Sequence, residues 1–148
     1  MRLDKFTTKF QQALGDAQSL ALGNDQQFIE PQHLMLALLQ QEDGGTSSLL
    51  SRAGVNVPGL KRDLEGAMVR LPKVEGHGGD VSVGRDLNNL LNLTDREAQK
   101  RGDQFIASEM FLLALCDDKG ETGRLAKQHG LARKALEAAI LAVRGGQG

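Results

Sequence analysis

The sequence predicts an all-α fold: eight helices arranged as two tandem four-helix pseudo-repeats. Three observations carry that expectation. Apolar residues recur at helical spacing almost throughout the chain. QFIEPQHLMLALL, Gln27 to Leu39, returns as QFIASEMFLLALC, Gln104 to Cys116, with six of thirteen positions identical at an offset of 77. Between the copies, LPKVEGHGGDVSVG, Leu71 to Gly84, breaks the pattern with Pro72 and four glycines. The expected layout is a first repeat over about 1–71, a linker over 72–84 and a second repeat over about 85–144.

The elements follow in order. Phe6, Phe10, Ala13, Leu14, Ala17 and Ala21 form one stripe of a first helix, and Gly23 is expected to close it. A short extended piece is expected around Phe28 and Ile29. Glu30-Pro31 then reads as a helix start, because proline has no N–H to leave unpaired in a first turn. Leu34 to Leu39 is apolar on nearly every side, which predicts a helix buried all round. Ser47 to Ala53 is expected as a short helix closed by Gly54. Asn56 is an N-cap candidate for a fourth helix carrying Leu60, Leu64, Met68 and Leu71.

The same programme then restarts. Leu87, Leu90, Leu91, Thr94 and Ala98 form a stripe closed by Gly102. Phe105 and Ile106 repeat Phe28 and Ile29, and Ser108 stands in the place of Pro31 as a candidate cap. Leu125, Gly130, Leu136 and Ile140 match Leu49, Gly54, Leu60 and Leu64 at an offset of 76. Two such units would bury their apolar faces against each other, with the helices beginning near Pro31 and Ser108 at the centre.

Composition excludes several classes. Among 148 residues, Lys and Arg total 18 and Asp and Glu total 19, for a net charge of −1. That balance lacks the basic face of a nucleic-acid binder. No stretch reaches the apolar length of a membrane span, and the N-terminus does not read as a signal peptide. A single Cys116 excludes an internal disulfide and makes a reducing, cytoplasmic setting the default. No P-loop, GxSxG or HExxH occurs, so no enzymatic activity or cofactor is expected of this chain. His33, His77 and His129 lack metal-ligand spacing, which argues against a metal site; His33 and His129 read as helix-edge residues and His77 as a loop residue. Cys116 reads as a small buried hydrophobe. Asp103 and Glu109 can be drawn as an acid/base pair, but a carboxylate at a helix start is more often structural.

Candidate binding residues are few. Leu93 falls about 110° from the centre of the Leu87–Ala98 stripe and has no evident core role. Met110 replaces polar His33, and methionine suits adaptable surfaces. The two residues either line an exposed apolar groove or complete the core, and Glu97, one turn after Leu93, weakens the groove. Thr7, Asp103 and Glu109 are the polar candidates; capping and loop hydrogen bonds are their simplest role.

MRLDKFTTKFQ, DAQSLALGNDQQFIEPQHL, LPKVEGHGGDV and AQKRGDQFIASEMFLLAL, read in order, resemble the amino-terminal domain of the ClpB-type AAA+ disaggregases, and the likeness covers essentially the whole chain. The resemblance implies a mobile substrate-binding appendage of a hexameric ring with two ATPase modules per subunit. It implies engagement of unfolded or aggregated polypeptides, cooperation with the DnaK chaperone system, and ATP and Mg bound only in the longer parent. Residues 145–148 would begin the connection to an ATPase module. It also implies that Thr7, Asp103 and Glu109 affect chaperone activity. A folded adaptor protein is the alternative partner. Related ClpC-type domains carry Thr-Glu-His in each repeat; Pro31-Gln32-His33 and Ser108-Glu109-Met110 keep the acid once, which argues against a symmetric phosphoarginine site.

Overall fold

The structure is a computed structural model that describes residues 3–75 and 79–145. Among the described residues it holds eight α-helices and two two-residue strands. The first half comprises α1 Thr8–Gly23, β1 Phe28–Ile29, α2 Pro31–Leu39, α3 Gly45–Arg52 and α4 Val57–Val69. The second comprises β2 Ser82–Val83, α5 Arg85–Lys100, α6 Ser108–Leu115, α7 Glu121–Gln128 and α8 Arg133–Gly145. The eight-helix, duplicated all-α fold is as the sequence predicts. No described helix is long and apolar enough to cross a membrane.

One contiguous core serves both halves. Every residue of α2 is buried, as are Met110 to Leu115 of α6. The stripe Leu87, Leu90, Leu91, Thr94 and Ala98 faces inward. With no Trp or Tyr available, Phe6, Phe10 and Phe111 supply the aromatic volume. Phe10 links the other two rings, at centroid distances of 4.9 and 6.2 Å.

The halves are tied by a reciprocal exchange. Ile29 of β1 pairs in parallel with Val83 of β2, which leads into the second half. Ile106, between α5 and α6, pairs in parallel with Phe6, which leads into the first. Both pairings obey the 77-residue offset, Phe6 to Val83 and Ile29 to Ile106. The hydrogen bonds repeat too: Thr7 N–H donates to Ile106 O at 3.0 Å, and Gly84 N–H donates to Ile29 O at 3.0 Å. Part of the expected 72–84 linker is therefore structural. Gly54 and Gly130, at φ +89° and +108°, also meet across the halves. A Cβ on Gly130 would stand 2.8 Å from Gly54 O, so only glycine fits there.

Several local expectations are corrected. Gly23 is the last residue of α1, and the left-handed residue that turns the chain is Asp25, at φ +56°. The third helix starts at Gly45, two residues before the expected Ser47. Leu71 lies beyond the end of α4. Ser108 is the first residue of α6, after Ala107 at the N-cap, so its side chain caps nothing. His33 is wholly buried instead of lying at a helix edge. Its Nδ1 accepts the Glu30 N–H at 2.8 Å and its Nε2 lies 2.6 Å from Gln26 Oε1. His77 falls outside the described residues.

Candidate functional site

The fold brings the three polar candidates to one place and separates the two apolar ones. Thr7 is the N-cap of α1, its Oγ1 accepting the Phe10 N–H at 3.2 Å. The pairing of Phe6 with Ile106 lays that cap beside the start of α6, where Glu109 occupies the first turn. Asp103 lies in the turn after α5, fixed by its N–H donating to Ala98 O. Arg144, in the last turn of α8, joins the two acids. Its Nη1 and Nη2 donate to the two oxygens of Asp103 at 3.2 and 3.0 Å, and its Nε donates to Glu109 Oε1 at 2.8 Å. The Asp103 hydrogen bonds, then the Glu109 charge, hold the guanidinium more firmly protonated than usual.

A cleft of about 750 Å³ opens at this junction. Its walls come from the starts of α1 and α6, the length of α3 and the last turns of α8, so it draws on both halves. Leu49, Leu112, Ile140 and Val143 form its apolar side. Thr7, Glu109 and Arg144 stand at one end, and the ion pair of Lys9 with Asp43 at another part of the lining. The Lys9 hydrogen bond, then the Gly45 N–H, holds the Asp43 carboxyl below its usual range.

Met110 is corrected: it is 0% exposed and lines no groove. The substitution of Met for His33 suggests a surface site only if His33 is exposed, and both positions face the core. Leu93 is 37% exposed, on the outer side of α5 as its helical phase predicts. It borders a smaller depression of about 390 Å³, with Pro31 and Gln32 of α2 and residues 117–122 before and within α7. Its counterpart at the 77-residue offset, Asp16, is an exposed acid, a sequence signal that this position faces solvent. Glu97 is buried and accepts from Arg133 at 2.8 Å, so it closes the core edge and does not extend a patch.

The two depressions occupy equivalent places on the pseudo-repeats, yet they are filled differently. Beside the large cleft, Thr7 faces small Ala107. In the other half the equivalents are Gly84 and Glu30, and a Cβ on Gly84 would stand 2.4 Å from Glu30 Oε1. Burial, and then the Asp86 charge, raises the Glu30 pKa. Arg144 is the residue that sequence reasoning missed. Its signal was a cation ending the apolar run Ile140-Leu141-Ala142-Val143.

Among the described residues no group of three or more His, Cys, Asp or Glu side chains is placed to hold a metal. Cys116 is half-buried, its Sγ donating to Leu112 O at 3.5 Å, and burial pushes its thiol up to about 11. It is not a reactive thiolate at neutral pH.

The family model described as Clp repeat (R) N-terminal domain matches residues 5–129. Chaperone protein ClpB of Vibrio cholerae is 52% identical over 147 residues, covering 99% of this chain and 17% of that protein. ClpB of Pseudomonas putida is 47% identical over 146 residues, with the same coverages. The chain thus spans about a sixth of the length of these relatives. The crystal structure of the Hsp104 N-terminal domain from Candida albicans shares the fold, with a TM-score of 0.81 at 19% identity, covering 95% of this chain and 92% of that one. The N-domain of ClpV from Vibrio cholerae does so at a TM-score of 0.77 and 18% identity, covering 95% and 85%. The duplicated helical architecture, the family match along most of its length and the similarity to the amino-terminal part of ClpB proteins together show that this chain belongs to the Clp repeat N-terminal domain family.

Proposed function

We propose that this domain engages unfolded or aggregated polypeptides for a ClpB-type disaggregase and helps pass them to the pore of the hexameric ring, in the cytoplasm and together with the DnaK system. The observation that supports this reading is the large cleft with Leu49, Leu112, Ile140 and Val143 on its apolar side. A partly apolar depression spanning two repeats suits extended segments with irregular apolar side chains. Leu93, on the second depression, is a separate contact for the same chain. The domain itself performs no ATP chemistry; ATP and Mg belong to the longer parent. One copy holds a client weakly, and the copies around a ring supply avidity.

The test is a fluorescence-anisotropy titration with a labelled, reduced and carboxymethylated protein that cannot refold. Leu49→Ser and Val143→Ser, both partly exposed in the cleft, are expected to weaken binding about three- to tenfold each, the range for losing one apolar contact. Leu93→Ser is expected to have a smaller, additive effect. Folded variants that all bind like the parent would remove the client-binding reading. Saturable binding of one folded protein at equal stoichiometry, with no affinity for the unfolded chain, would establish the adaptor-docking role instead.

A further inference from the structure

We infer that Arg144 is the positioning residue of the large cleft, and that Asp103 and Glu109 act on binding through Arg144 without touching the client. The inference rests on the client-binding reading of the cleft. Arg144 and Ile140 are one turn apart on α8 and share a face. Whatever fixes the Arg144 guanidinium therefore also fixes Ile140 and the adjoining Val143 on the cleft wall. The fixing groups come from outside α8: Asp103 after α5 and Glu109 on α6. A last helical turn frays unless something holds it, and here the tether is a fork of charge-assisted hydrogen bonds to two carboxylates.

The acids are poorly placed to receive a client directly. Both oxygens of Asp103 accept from Arg144, and the Asp103 side chain is only 18% exposed. Glu109 Oε1 accepts from Nε and lies 2.6 Å from Nη2. A client group reaching Asp103, or the Glu109 oxygen that faces Arg144, would first have to break the fork. The other half holds its corresponding helix end differently: Arg70, just after α4, lies 3.6 Å from a single acid, Glu121, in an exposed pair. At the 76-residue offset Arg144 corresponds to Met68, which is buried, and Gln32, the counterpart of Glu109, donates to Glu121. The two-acid fork thus belongs to the larger of these two depressions.

The experiment is a double-mutant cycle on this chain with the labelled, unfolded carboxymethylated protein, using only variants whose circular dichroism matches the parent. Arg144→Ala is expected to bind about fivefold more weakly, and Asp103→Ala and Glu109→Ala to approach that loss. The doubles Asp103→Ala/Arg144→Ala and Glu109→Ala/Arg144→Ala are expected to match Arg144→Ala alone within about twofold, since the singles act as one unit. Arg144→Lys, which cannot fork, should recover part of the affinity. Amide exchange of residues 141–144 should quicken about tenfold or more in Arg144→Ala, a readout of the loosened turn. Parent-like binding by Arg144→Ala, or doubles as weak as the product of the singles, would overturn the inference. If the parent domain fails to bind the unfolded chain, the client-binding reading falls separately. The positioning role is then decided by exchange alone: faster exchange upholds it and unchanged exchange overturns it.

Discussion

At the scale of the residue, His33 shows how burial assigns chemistry. Its Nδ1 accepts a backbone N–H, which leaves the proton on Nε2 for Gln26 Oε1. Gln26 in turn donates its amide to Met68 O at 2.7 Å, so the neutral ring fits a satisfied chain of donors and acceptors. Burial lowers its pKa to about 4 from an ordinary value near 6.5. The unfolded chain then binds the proton first as pH falls. Stability conferred by neutral His33 is present above pH ~6.5 and is lost toward pH 4, by about 2–3 kcal/mol. Glu30, whose carboxyl takes up its proton more readily when folded, opposes this loss. Urea denaturation across that range should show a shallower pH slope for His33→Gln than for the parent, whatever the variant's absolute stability. A second residue-scale prediction concerns Glu97. Glu97→Ala removes a buried partner from Arg133 and should cost about 1–3 kcal/mol in the same assay. Arg133 keeps Asp117 and the Leu113 carbonyl, which holds the loss below that of a stranded charge. The apolar phase of α5 placed Glu97 beyond Leu93, but nothing in the sequence named its partner 36 residues away.

At the scale of the element, helix interiors were legible and helix ends were less so. The stripes of α1 and α5 and the all-round burial of α2 follow from apolar spacing alone. Asn56 also capped as its type suggests, accepting the Gly59 N–H at 3.3 Å. Ser108 did not cap, because Ala107 takes the N-cap place and Thr7 from α1 lies alongside. The equivalent junction in the first half yields a sharp test. Gly84→Ala pushes a Cβ against the Glu30 carboxylate and should destabilise the domain by about 1–3 kcal/mol. Glu30→Ala/Gly84→Thr installs the Ala107 and Thr7 pairing of the other half. Gly84→Thr alone should lose at least as much, and the double variant should recover most of it, with a coupling of about 1 kcal/mol or more, read from thermal melts of the parent, Glu30→Ala, Gly84→Thr and the double variant.

At the scale of the whole molecule, the exchanged pairings make each repeat incomplete alone. Ile29 needs Val83, and Ile106 needs Phe6. Separate fragments 3–75 and 79–145 should each show little helix by circular dichroism and regain it on mixing, while the intact chain unfolds in one transition. Two independently helical fragments would show that the exchange is dispensable.

The duplication, the helical class, the buried central helices and the exposed side of α5 were legible in the chain, because they depend on local periodicity and on identity between the copies. It also supplied Thr7, Asp103 and Glu109 as separate candidates. Packing between the copies settled that Thr7 and Glu109 line one cleft, that Arg144 binds Asp103 and Glu109 together at its edge, and that Met110 lies in the core. Those outcomes depend on contacts between residues 35 or more positions apart. Such contacts are fixed by how two copies pack across a pseudo-twofold axis, and side-chain spacing along one chain does not encode that geometry.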